Sequence, residues 1–337
     1  FERVIGGTQE EKESAFKELQ VLFEERNKEL EKYELKKSPE DLEIIKKTES
    51  IVDKIVEKYG SKPKALPLDN IYILRPGSVL EMTEGRLKEG IHKPLGLKIG
   101  IEKERSRLSF AAALAHELFH LKSYKSARVG KSAGDTRLYR SGLLMFDRKD
   151  EDREKGEEKK YFDALEEAVV AECTKRFIDE IGNDGKFSEE IKTIEKFKNW
   201  VMAFYRRNGI SEEKIEEFKR ELKYIADPLD RVESVLAFSN NEEERQSYAA
   251  GMFKSLYEKR EAKTIERYRE RKKMYELLDR LVAGSDGKFK HRDEVFDEFA
   301  RANFSGNYLP LARIVENILG RGMFKKMAEE FGEDPRK

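Results

Sequence analysis

Phe110-Ala111-Ala112-Ala113-Leu114-Ala115-His116-Glu117-Leu118-Phe119-His120 is the stretch on which the reading of this 337-residue chain turns. Its apolar run predicts a helix from about Ser109 to Tyr124, and between Ser109 and Leu118 the one charged residue is Glu117. A His-Glu-His trio on a helix otherwise made of Ala, Leu and Phe is costly to bury unless something satisfies it. The spacing says what that is. Residues four apart share one helical face, so both imidazoles reach one Zn²⁺, with the intervening Glu set near a water on the ion. The chain has four histidines in all, and its composition alone gives an accidental HExxH in about one such sequence in a hundred. The other two, His92 and His291, sit among Lys, Pro, Arg and Asp and read as ordinary residues.

Catalytic zinc takes three protein ligands and keeps one position open. The third is expected downstream, in Leu165-Glu166-Glu167-Ala168-Val169-Val170-Ala171-Glu172, where acids stand on an apolar helix running from about Phe162 to Ile181. Glu167 lies 47 residues after His120. Glu166 is the alternative, and Glu172, about 140° away around a regular helix, is the third candidate.

HExxH followed by a helix carrying Glu-Ala resembles the gluzincin zinc metallopeptidases, whose third ligand is a Glu usually written Asn-Glu-Ala. That pattern favours Glu167, which Ala168 follows. The chain departs from it twice, with Glu166 in place of Asn and Ala171 where many members carry an Asp that orients the first histidine. That histidine then needs a backbone carbonyl or another side chain behind it. The resemblance covers about Leu95 to Phe177. It implies Zn²⁺ held by His116, His120 and Glu167, with Glu117 taking a proton from water and passing it to the leaving amine of a peptide or protein substrate. It also implies an edge strand for the substrate, placed at Leu97 to Ile101, and Tyr139 or Arg140 as a candidate oxyanion stabiliser. Within the class, an intracellular bacterial type is suggested by likeness to the repressor-cleaving metallopeptidases of mobile elements, although no helix-turn-helix partner is visible. The different-class alternative is a helical interaction scaffold with a degenerate or structural zinc site.

Outward from the motif, the expected fold is α+β and predominantly helical: a small zincin-like core with an edge-strand sheet, flanked by helical regions. Residues 1–62 read as an N-terminal helical hairpin, with Thr8 and Glu11 at capping-box spacing and Ser38-Pro39-Glu40-Asp41 starting the second helix, which Gly60 closes. Residues 63–186 form the zincin-like core. Strands are expected at Ile71–Leu74, Leu95–Ile101 and Leu138–Phe146, with a hairpin tip or loop over Asp147–Lys160. Lys122, Lys125, Arg128 and Lys131 read as a solvated basic loop after the motif. Residues 187–337 read as a C-terminal helical domain with a helix of about 40 residues from Asn241 to Val282, a break at Gly284–Gly287, two shorter helices, and a stop at Gly320-Arg321-Gly322.

The charge balance excludes other classes. With 68 Lys and Arg against 68 Asp and Glu, and 40% of residues charged, there is no global basic field to draw nucleic acid or an anionic membrane. No window is apolar over the roughly 18 residues that a membrane span needs. A single cysteine, Cys173, rules out an intrachain disulfide, reads as a small packed hydrophobe, and makes the cytoplasm the default location. A trimmed targeting segment would also fit a first residue of Phe1. The C-terminal helices offer a surface for a partner protein.

Overall fold

The computed structural model describes residues 3–5, 8–10, 12–14, 17, 28, 30–82, 90–93, 98–104, 106–128, 137–147, 159–216, 228–258 and 268–332. Most of the expected first hairpin helix lies outside these residues, as does Lys131 of the basic run. A short strand β1 (Arg3–Ile5) precedes helix α1 (Pro39–Lys58). Ser38 starts α1 as its neighbours predict: its side chain accepts from the Asp41 N–H while the Asp41 carboxylate accepts from the Ser38 N–H. Gly60, at φ +84°, ends it. Then come β2 (Ile71–Leu74), the short α2 (Ser78–Met82), β3 (Gly90–Lys93) and β4 (Lys98–Glu102).

The motif helix is α3 (Arg107–Lys122), capped by Ser106, whose hydroxyl accepts from the Ser109 N–H. Every residue from Leu108 to Lys122 is buried. That is what an apolar, barely amphipathic sequence requires, since such a helix has no face suited to water. It packs between α1 and the later helix α4 (Asp163–Ile181), against β3 and β4. Four short strands follow: β5 (Lys125–Arg128), β6 (Arg137–Ser141), β7 (Leu144–Asp147) and β8 (Lys159–Tyr161).

The remainder is helical: α4 (Asp163–Ile181), α5 (Ser188–Arg207), α6 (Pro228–Phe238), α7 (Glu242–Glu258), α8 (Tyr268–Ala283), α9 (Arg292–Ser305), α10 (Tyr308–Leu319) and α11 (Met323–Glu330). The fold is α+β and predominantly helical. Two small sheets have the orders β2-β4-β3 and β1-β5-β6-β7-β8. No helix among the described residues is long and apolar enough to cross a membrane.

Several expectations change. The strand before the motif helix, expected as an edge at Leu97–Ile101, is central: β4 pairs in parallel with β2 and antiparallel with β3. The sequence concealed β3 because its Gly-Ile-His-Lys has no alternating apolar pattern. Leu138–Phe146 is two strands, since Gly142 at φ +58° turns the chain between β6 and β7. Of the expected 40-residue helix, α7 and α8 are its described ends, and residues 259–267 lie outside the description. Three helices rather than two follow the glycine break.

The basic run after the motif is also corrected, because Lys122 and Lys125 are buried. Lys122 Nζ donates to Glu49 (2.9 Å), Asp53 (2.6 Å) and the Lys64 carbonyl (3.1 Å), tying the end of α3 to α1. Lys125 Nζ donates to the carbonyls of His120 (2.5 Å) and Leu121 (3.0 Å), so an ammonium closes the negative end of the motif helix.

The C-terminal helices reach this same region. Asn303, fully buried on α9, accepts from the Leu143 N–H (2.8 Å) and donates to Ser123 Oγ (2.9 Å), and its carbonyl accepts from the Tyr124 N–H (3.1 Å). The Phe304 ring lies 6.0 Å from Phe119 and 5.9 Å from Tyr59. One apolar core runs from α1 through α3 and α4 to α11. Replacing Asn303 by Ala leaves the Leu143 N–H without its acceptor, and a loss of about 2–3 kcal/mol in urea unfolding is expected. A loss below about 0.5 kcal/mol would show that this link is dispensable.

Candidate metal centre

His116 and His120 lie one turn apart on α3, and α4 crosses that helix with its first turns facing them. The start of α4 is fixed from outside. Phe162 adopts a left-handed conformation at φ 62°, a strain of about 1–3 kcal/mol for a non-glycine residue. The surroundings hold it there: its N–H donates to the Ala328 carbonyl (3.1 Å), and its ring packs on Phe324 and Tyr308. The Ala164 N–H donates to the Phe331 carbonyl (2.9 Å). Backbone donors that a helix start leaves open are thus met by the end of α11.

This sets Glu167 against both histidines. Its Oε2 lies 3.7 Å from His116 Nε2 and 3.6 Å from His120 Nε2, and the two Nε2 atoms are 3.1 Å apart. Zinc bonds of about 2.0–2.2 Å at tetrahedral angles place neighbouring ligand atoms about 3.3 Å apart, so all three edges have the size of a zinc site. One carboxylate and two imidazole nitrogens are also the donor set that zinc takes. His116, His120 and Glu167 form the one such cluster found among the described residues. The histidine side chains are 3% and 6% exposed and that of Glu167 is 23% exposed, while the Glu167 Oε2 that faces both rings is itself buried. Glu117 is buried within the same turn of α3.

The other candidates separate clearly. Glu166 Oε1 sits 2.9 Å from His120 Nδ1, behind that histidine rather than among the ligands. Glu172 points to α8, where it accepts from the Tyr275 hydroxyl beside Arg176. The partner of His116, which Ala171 does not supply, is Thr174, whose Oγ1 is 3.4 Å from His116 Nδ1. Thr174 was missed at sequence level because it lies one helical turn beyond the position where an acid was sought.

Arg140 is not available to an oxyanion. It is buried, and its guanidinium donates to the carbonyls of Gly142 (2.7 Å), Gly306 (2.6 Å) and Ala302 (3.0 Å), closing the end of α9. Tyr139, half-buried and next to it on β6, is not brought to the ligand cluster by any described contact. Cys173 is fully buried, and burial pushes its thiol pKa up, as for a packed hydrophobe. His291 caps α9.

Burial works against a charged His120, but the carboxylates of Glu166 and Glu167 outweigh it and hold its pKa well above the ordinary value of 6.5. With His120 protonated, its Nε2–H donates to His116 Nε2 at 3.1 Å, so the proton occupies the place that a metal ion would take. Without metal, the proton on His120 adds stability in full below about pH 6.5, and that contribution is lost as pH rises through the raised value. A metal ion bound by both Nε2 atoms would displace this proton. Titration calorimetry at pH 7 in buffers of differing ionisation enthalpy is therefore expected to show proton release on zinc binding, with affinity rising as pH rises. No release would contradict the arrangement.

Compared with protein-family models, with curated proteins and with solved structures, the chain finds no match in any of the three, so the site's description rests on its own residues.

Proposed function

We propose that this chain is a zinc-dependent metallopeptidase of the gluzincin type, hydrolysing peptide bonds in a peptide or protein substrate. The observation that carries the reading is the meeting of His116 Nε2, His120 Nε2 and Glu167 Oε2 at tetrahedral edge distances. Zn²⁺ held there supplies a Lewis acid that lowers the pKa of a water and polarises a carbonyl. Glu117, on the same turn as both histidines, accepts the water's proton and delivers it to the leaving amine. His116 and His120 give their Nε2 lone pairs to the ion, and Glu167 gives an oxygen.

Substrate placement also finds support in the small sheet. The outer edge of β2 is covered, since the Leu35 N–H donates to the Ile73 carbonyl (2.7 Å) and the Arg75 N–H to the Tyr33 carbonyl (3.0 Å). Among the described residues the free edge is β3, antiparallel to β4 and in contact with α3. The edge-strand role expected for Leu97–Ile101 passes to Gly90–Lys93, where an extended peptide adds by main-chain hydrogen bonds. A single cysteine fits a reducing, cytoplasmic setting and an intracellular enzyme.

The scaffold reading with a structural site calls for a fourth protein ligand, and the cluster found among the described residues offers three. The test is cleavage of a peptide library by zinc-loaded protein. Glu117→Gln is expected to abolish turnover and keep zinc, and His120→Ala to lose both. Zinc-dependent cleavage that survives in Glu117→Gln would remove Glu117 from its role, and zinc uptake without cleavage of any peptide would favour the scaffold.

A further inference from the structure

The groups behind the two histidines differ in kind, and the count of hydrogens says what each does. Thr174 Oγ1 donates to the Val170 carbonyl at 2.9 Å, which commits its single hydrogen. Toward His116 Nδ1 it offers lone pairs only, so His116 carries its hydrogen on Nδ1 and leaves Nε2 open. Glu166 is a carboxylate, which accepts and does not donate, and it imposes the same tautomer on His120. When a metal ion displaces the second proton of His120, both Nε2 lone pairs are directed to one point by hydrogen bonds made on the far side of each ring.

The two partners are unequal. The Glu166 contact is charged, buried and 2.9 Å long, whereas the Thr174 contact is neutral and 3.4 Å long. Charge-assisted hydrogen bonds are about twice as strong as neutral ones. Helical spacing explains the division. Glu167, Ala171 and Thr174 lie at i, i+4 and i+7 on one face of α4, and Ala171 has no polar group to offer, so Thr174 one turn on is what His116 meets. Glu166 precedes the ligand Glu167 and turns to the neighbouring histidine. A single helix thus supplies one ligand and the supports of the other two.

We propose that Glu166 and Thr174 are the positioning residues that set metal retention at this site, with Glu166 dominant. This rests on the reading of His116, His120 and Glu167 as zinc ligands given under Proposed function. It adds that the site's affinity depends on a charged support for the second histidine and a hydroxyl support for the first.

The test measures zinc affinity of the full chain by competition with a chromophoric chelator, together with the visible spectrum of the Co²⁺-loaded protein. Glu166→Gln, which removes the charge and keeps the size, is expected to weaken zinc binding about 10- to 100-fold and to shift the Co²⁺ bands. Thr174→Val, which removes the acceptor, is expected to weaken it about 3- to 10-fold, while Thr174→Ser stays within about twofold of wild type. If Glu166→Gln does not fold, Glu166→Asp keeps the charge with a shorter reach and is expected to fall between wild type and Thr174→Val. Wild-type affinity and an unchanged Co²⁺ spectrum in Glu166→Gln, or in Glu166→Asp together with Thr174→Val, would overturn this proposal and leave the zinc reading intact. A wild-type protein that takes up no zinc would overturn the zinc reading, and this proposal with it.

Discussion

A histidine, a glutamate and a second histidine are enclosed on a helix that is buried along nearly its whole length, and the rest of the structure is organised around satisfying them. An apolar helix gains by burial from all sides, but its polar trio loses unless every donor and acceptor is met. Helix α4 supplies the answer on one side, placing Glu166 and Thr174 behind the rings and Glu167 before them. At the C-terminal end of α3, just past the trio, the buried ammonium of Lys125 donates to the carbonyls of His120 and Leu121 that the helix end leaves open. Removing water from such a group is tolerable only because each buried charge has a fixed partner.

That arrangement requires α4 to start at one place, and the chain achieves this from far away in sequence. Phe162 is held in a left-handed conformation by contacts from α10 and α11, whose carbonyls and rings fix the first turn of α4. Asn303 and Arg140 join α9 to the hairpin turn at Gly142 and to the end of the motif helix. The C-terminal helices thus take part in positioning the candidate site.

Much of the fold is legible in the sequence where the cause is local. The capping box at Ser38 and Asp41 starts α1, Gly60 ends it, and the apolar runs at Ile71 and Ile99 give strands. The C-terminal breaks at Gly284–Gly287 and Gly320–Gly322 fall where glycine at positive φ, or next to it, allows the chain to turn. Elements without a local pattern were not legible. Strands β3 and β5, Gly-Ile-His-Lys and Lys-Ser-Ala-Arg, exist because a neighbouring strand offers hydrogen bonds, and nothing in their composition announces them. Lys122 looked solvated because the acids that hold it, Glu49 and Asp53, lie about 70 residues earlier in the chain.

By itself the sequence determined which residues are able to bind metal. Four-residue spacing puts His116 and His120 on one face in any α-helix, and an acid on a second apolar helix completes a donor set. Which acid it is, and what stands behind each histidine, depended on how α4 crosses α3. Neighbouring residues on a helix point about 100° apart, so the crossing alone sends Glu167 to the cluster, Glu166 to the back of His120 and Glu172 to a different helix. Local spacing fixes directions within one helix, whereas the meeting of two helices is fixed by packing at distant points of the chain, here by Phe162 and the C-terminal helices that hold it.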